Sequence, residues 1–145
     1  RAEVVISNDE IAYPAVARTD VLLAMTPKAV ADYLPKARPR SVVIVDSTHV
    51  AQTPATEAVV YTIPLTSIAK DLGAEISVNI VALAAVVALS GVVSPEALES
   101  AALSKLPARS HDLNRRALLA GWEAALTAFA AGTAGAAPSP ELQER

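Results

Sequence analysis

The sequence predicts an α/β fold: an open, mostly parallel sheet with flanking helices and a helical C-terminal section. Three observations predict it. Ser41-Val42-Val43-Ile44-Val45-Asp46 carries four consecutive β-branched residues between turn signals, the pattern of a strand covered on both faces in a parallel sheet. Shorter apolar runs on either side alternate with helix-start signals, as strand–helix units do. Ile76 to Val93, ISVNIVALAAVVALSGVV, has no polar side chain from Ile80 to Leu89. A helix with no wet face belongs in an interior or a membrane. A membrane span needs roughly 20 predominantly apolar residues, and here Ser77 and Asn79 precede the run while Ser90 and Gly91 close it. A buried core helix is therefore expected, and its alanines (Ala82, Ala84, Ala85, Ala88) let neighbouring backbones come close.

The other elements follow in order. Glu3 to Ser7 reads as a short strand ended by Asn8-Asp9-Glu10, whose side chains favour a turn. A loop passes through Tyr13-Pro14. Asp20 to Met25 is a second strand, and Thr26-Pro27 supplies an N-cap with proline at the first helical position. That helix carries Ala29, Val30, Tyr33 and Leu34 on one face and stops near Pro35, after which Arg38-Pro39-Arg40 turns the chain into the central strand. A loop over residues 47–56 leads to a strand at Ala58 to Thr62, closed by Pro64. Thr66 to Leu72 forms a short helix ended by Gly73. Asn79 caps the buried helix and Gly91 ends it in the left-handed conformation. Ser94-Pro95 starts another helix by the same logic as Thr26-Pro27. From Asp112 to Phe129 the residues Leu118, Trp122, Ala125 and Phe129 recur at helical spacing, with Arg115, Arg116 and Glu123 outward. Residues 130–145 collapse to Ala, Gly, Pro and Ser with a charged end and are expected to be a disordered tail. The chain thus divides into one α/β domain at 1–129 and a tail.

Composition narrows the functional classes. A mean hydropathy of +0.38 reflects alanine and valine spread along 145 residues, and no second long apolar run accompanies the one at 76–93, so no membrane span is expected. With net charge −3 and a pI near 5.3, nucleic acid is not expected as a partner, because phosphate binding needs clustered Lys and Arg. There is no cysteine, so no disulfide, thiolate nucleophile or cysteinyl iron–sulfur ligation can come from this chain. The start at Arg1, without an initiator Met and directly into a strand-like run, reads as a piece of a longer chain.

Asp46, Ser47, Thr48 and His49 stand together just beyond the central strand, where open α/β sheets bind ligands. Four adjacent residues do not form a nucleophile–base–orienter triad, whose members converge from different directions. A turn bonding its own backbone is the preferred reading, with Asp46, Ser47 and Thr48 as the rim of a ligand cleft the alternative. Asn79 likewise has two readings, a helix cap or a contact to a phosphate or carboxylate at a helix N-terminus, and the cap is preferred. His111 reads as the polar start of the last helix. Neither histidine has a partner at metal-ligand spacing, so no metal site is expected. The five glycines form neither GxGxxG nor a P-loop, and no catalytic residue emerges.

Six segments in order, RAEVVIS at 1–7, IAYPAV at 11–16, DVLLAM at 20–25, SVVIVDST at 41–48, IPLTSIAKDLG at 63–73 and NIVALAAVVALSG at 79–91, resemble the gamma subunit or gamma domain of the 2-oxoacid:ferredoxin oxidoreductases. The resemblance covers residues 1–129. It implies an assembly that oxidatively decarboxylates a 2-oxoacid with thiamine diphosphate and Mg, passes electrons through [4Fe-4S] clusters to ferredoxin or another electron acceptor, and transfers the acyl group to coenzyme A. The chain would be a non-catalytic, cytoplasmic subunit beside alpha, beta and delta types, inactive alone and holding none of these cofactors by itself. IAYPAV looks more like the 2-oxoglutarate and aryl- or indolepyruvate branches than the pyruvate branch. The family's glycine-rich GGQG segment and the Gly-Gly pair before the equivalent of Arg1 are not in this sequence, so residues 1–129 would be an N-terminally truncated domain and no catalytic residue of the family carries over. A free-standing small-molecule or nucleotide-binding module of the doubly wound type and a structural interaction domain stay open as alternatives.

Overall fold

Parallel strands need a crossover of a dozen or more residues between them, and this chain provides two of different kinds. The computed structural model describes residues 2–12 and 16–132. β1 (Thr19–Ala24) returns through α1 (Pro27–Tyr33) and a 3-10 turn at Leu34–Lys36 to β2 (Ala37–Asp46). β2 then reaches β3 (Val59–Ile63) through residues 47–58, which contain no helix. The sheet order is β1-β2-β3, with both pairings parallel. β2 is central, as its sequence predicts.

Alternation along β2 sorts the core into two halves. Val43 and Val45 join Leu22, Ala24, Val30, Leu34 and Val50 on the α1 face. Val42 and Ile44 join Tyr61 and Ile63 on the other face, beneath α2 (Leu65–Asp71), α3 (Val78–Ser90) and α5 (His111–Gly132). α4 (Pro95–Ser104) packs on α3 and α5. Val43, Ile44 and Val45 are fully buried, and each contributes roughly 1.5–3 kcal/mol by leaving water. The helix starts hold as expected: Thr26 Oγ1 accepts from Ala29 N–H and Ser94 Oγ from Ala97 N–H, both at 3.2 Å, with Pro27 and Pro95 opening the helices. Gly91 ends α3 at φ +65°.

α3 and α5 form the largest contact between any two elements. Their meeting point is Gly121, where an added Cβ would lie 2.1 Å from the backbone oxygen of Val81. Val81, Ala84, Ala85, Ala117 and Ala125 around it have no exposed surface. The alanines of α3 admit the partner helix as the sequence suggests, and the glycine that completes the approach sits on the other helix. Tyr61 of β3 stacks on Phe129 of α5 with centroids 6.3 Å apart, fixing the far end of α5 to the sheet.

Five expectations are corrected or bounded. Residues 2–7 form no strand; Val4 and Ile6 are exposed, and no partner strand beside them among the described residues completes a ladder. Arg38-Pro39-Arg40 is not a turn before β2 but lies within it. Between the pairs Thr19–Ala37 and Val21–Val42 the register shifts, so β2 carries a bulge there, with Arg40 at φ +63°. Asn79 is not the cap of α3. A 3-10 turn at Glu75–Ser77 runs straight into the helix, Val78 N–H already bonds Glu75 C=O, and Asn79 is exposed in the first helical turn. α3 is not dry all round, since Leu83 is 41% exposed and Ile76 just before it 98%. Finally, α5 continues through Gly132; the remainder of the expected tail, 133–145, and the Tyr13-Pro14 loop lie outside the described residues.

Urea denaturation of three variants tests these placements. Gly121→Ala should lose ~3 kcal/mol or more, because the added methyl meets backbone that cannot give way. Gly132→Ala, whose Cβ would meet only the Tyr61 ring at 3.6 Å, and Asn79→Ala, which removes no cap, should each stay within about 0.5 kcal/mol of the parent.

Candidate functional site

All three parallel strands end at the carboxyl edge of the sheet, and there the ends of β2 and β3 meet the turn at residues 47–50 and the first turn of α2. Four β-branched residues carry β2 to its last member, Asp46, and Pro64 stops β3 so that α2 starts at Leu65 beside it. Asp46 is fully buried. Its carboxylate accepts from Thr48 N–H at 3.0 Å, from Thr66 N–H at 3.3 and 3.4 Å to its two oxygens, and from Thr66 Oγ1–H at 2.5 Å. Thr48 Oγ1 in turn accepts from Ser67 N–H at 3.1 Å and lies 3.1 Å from Ser67 Oγ.

The turn's remaining amides are also used. Ser47 N–H donates to Ile63 C=O at 3.0 Å, and His49 and Val50 N–H donate to Asp46 C=O at 3.2 and 3.0 Å. A buried carboxylate is tolerable when several donors surround it, and here they come from two segments about twenty residues apart in sequence. Asp46 therefore ties the loop after β2 to the start of α2. Thr48 and His49 are exposed and Ser47 is half-buried. The preferred reading of 46–49, a turn bonding its own backbone, describes this geometry in part. What adjacency could not disclose is the contribution of Thr66 and Ser67, whose role depends on β3 lying beside β2.

The other singled-out residues lie apart from this network. None of its hydrogen bonds reaches Asn79, which sits in the first turn of α3. His111 opens α5, with Nε2 3.0 Å from Leu106 C=O, a structural position at the start of a helix. Burial raises the Tyr61 hydroxyl above its ordinary pKa, in keeping with its place between the sheet and α5. Among the described residues no group of three or more His, Asp or Glu is arranged to hold a metal ion, and no helix is long and apolar enough to cross a membrane. An open depression of about 410 Å³ lies beside this edge, lined by Ile63, Pro64, Ile68, Ala124 and Ala128 with Thr62 and Thr127. Its walls offer no acid, base or nucleophile beyond two threonine hydroxyls.

The network predicts a graded set of losses. Asp46→Ala strands three donors in a buried place and should cost at least ~2 kcal/mol, given ~1–3 kcal/mol for leaving a buried polar group unsatisfied. Thr48→Ala removes bonds at an exposed rim and should cost about 1 kcal/mol or less. Thermal unfolding with calorimetric enthalpies measures both, and equal losses would show that Asp46 is not the centre of the network.

Comparison with known proteins places this architecture. The profile of the family described as "Pyruvate ferredoxin/flavodoxin oxidoreductase" matches residues 1–124. The 2-oxoglutarate synthase subunit KorC of Methanocaldococcus jannaschii is 34% identical over 128 residues, covering 86% of this chain and 68% of that protein. KorC of Methanothermobacter thermautotrophicus is 34% identical over 130 residues, covering 85% of this chain and 69% of its own. Among solved structures, the keto/oxoacid ferredoxin oxidoreductase gamma subunit of Geobacter sulfurreducens superposes with a TM-score of 0.74 at 40% identity, over 80% of this chain and 67% of that one. The pyruvate oxidoreductase subunit PORC of Thermotoga maritima shares the fold at a TM-score of 0.59 and 23% identity, over 75% of this chain and 65% of that one. With the family profile matching nearly the whole described fold and relatives above 30% identity on both counts, the chain belongs to the pyruvate ferredoxin/flavodoxin oxidoreductase family and is of its gamma-subunit type.

Proposed function

We propose that the chain is the gamma-type module of a cytoplasmic assembly that oxidatively decarboxylates a 2-oxoacid, with 2-oxoglutarate as the favoured substrate, forms an acyl-CoA and delivers electrons to ferredoxin or another acceptor. The observation that carries this reading is the 34% identity, over 86% of the chain, to a subunit named for 2-oxoglutarate synthase. The branch expected from IAYPAV agrees with it.

In such an assembly thiamine diphosphate supplies the carbanion-stabilising chemistry and iron–sulfur clusters supply electron transfer. This chain's residues do not fit either group: it has no cysteine for a cluster, and at the ends of β2 and β3 the Asp46 carboxylate is already taken up by Thr48 and Thr66 and the Ser67 amide by Thr48. Its contribution is architectural. β2, α3 and α5 form a rigid slab, and Asp46 fixes the edge of that slab so that the loop over 47–58 is presented in one conformation. Alpha, beta and delta types of subunit would hold the reacting groups.

The test is to tag the natural full-length protein in its own cell, purify what it carries, and assay viologen or ferredoxin reduction with 2-oxoglutarate, pyruvate and indolepyruvate. The partner chains should co-purify, 2-oxoglutarate should give the highest kcat/KM in the presence of coenzyme A, and the isolated chain should turn over none of the three. A tenfold preference for pyruvate would overturn the substrate, and turnover by the isolated chain would overturn the architectural role.

A further inference from the structure

The carboxyl edge of an α/β sheet, with a helix N-terminus beside it, is where a phosphate-bearing ligand is ordinarily sought, because free amides and cations gather there. Here the amides of residues 47–50 and 66–68 are already engaged. Ser47, Thr48, His49 and Val50 each donate within the turn or to β3 and Asp46. Thr66 and Ser67 donate to the Asp46 carboxylate and the Thr48 hydroxyl. Ile68 N–H closes the first helical bond to Pro64 C=O at 3.0 Å. The segment between Ser41 and Ala69, which carries the ends of β2 and β3 and the start of α2, has no Lys or Arg.

Resting on the reading that the assembly uses coenzyme A, we infer that the ends of β2 and β3, with the start of α2, are closed to anions and that the phosphates of coenzyme A are not held there. Asp46 occupies the position, and takes the hydrogen bonds, that a bound phosphate would need. A phosphate arriving beside it would have to displace a fully buried carboxylate and would then face that carboxylate's charge with no guanidinium or ammonium from residues 41–69 to offset it. What these strand ends leave outward includes the Thr48 and Ser67 hydroxyls, uncharged hydrogen-bonding groups. Such a rim suits an uncharged, hydrogen-bonding group and not a diphosphate. The phosphates must therefore be recognised by residues of partner chains or by residues other than 46–50 and 64–71.

Hydrogen–deuterium exchange on the complete native complex tests this with two probes, coenzyme A and inorganic pyrophosphate, each added at saturating or 10-millimolar-scale excess. Exchange in peptides covering 46–50 and 64–71 should change less than twofold with either probe. Fivefold or greater slowing in either peptide, with either probe, would overturn the inference. The pyrophosphate arm decides the point even if the complex proves not to use coenzyme A, an outcome that would overturn the proposed function instead.

Discussion

Gly121 brings the backbone of α5 against the backbone of α3, and the layered structure depends on that contact. An added Cβ would stand 2.1 Å from the Val81 oxygen, so no other residue permits the same approach. Close approach lets Ala84, Ala85, Ala117 and Ala125 pack with no exposed surface, small side chains that at a wider separation would leave voids. Because α3 and α5 then lie together on one face of β2, Val42 and Ile44 are covered, while α1 covers Val43 and Val45. The high alanine content, which inflates the mean hydropathy, is the compositional trace of this arrangement.

The second constraint is the buried carboxylate at the end of β2. Hydrophobic burial positions the strand, but it cannot hold the polar turn that follows, whose backbone groups must each find a partner. Asp46 solves this with one side chain that serves the turn and α2 together. The packed helices and the bonded Asp46 together hold the ends of β2 and β3 and the start of α2 in fixed relation.

Where local chemistry decided structure, the sequence was readable. Four β-branched residues marked β2 as central and two-sided, and Thr26-Pro27 and Ser94-Pro95 marked helix starts because cap and proline act within four residues. Reading failed where the deciding partner was remote or where one element ran into the next. Asn79 has the chemistry of a cap, yet the 3-10 turn before it runs straight into α3 and already takes the first donor, Val78 N–H. Arg38-Pro39-Arg40 has the composition of a turn, yet it lies inside β2 at the register shift between the β1 pairings of Ala37 and Val42, with Arg40 N–H bonded to Glu57 C=O. Glu3 to Ser7 has the pattern of a strand, but a pattern forms a ladder only beside a partner. At the site, Asp46 and Thr48 were visible by adjacency, whereas Thr66 and Ser67 were not, and Gly121 could not be told from any other helical glycine without knowing which backbone it meets.

Native-state amide hydrogen exchange addresses the central claim, that α3, α5 and β2 form one packed unit organised at Gly121. In a complex-bound or purified chain followed through increasing denaturant, the interior amides of α3, of α5 on both sides of Gly121 and of β2 from Val42 to Val45 should exchange only through a common opening, with a single free energy and a single denaturant dependence. If α5 exchanges through a separate opening several kcal/mol cheaper than that of β2, the helix is an appendage and the contact at Gly121 does not organise the fold.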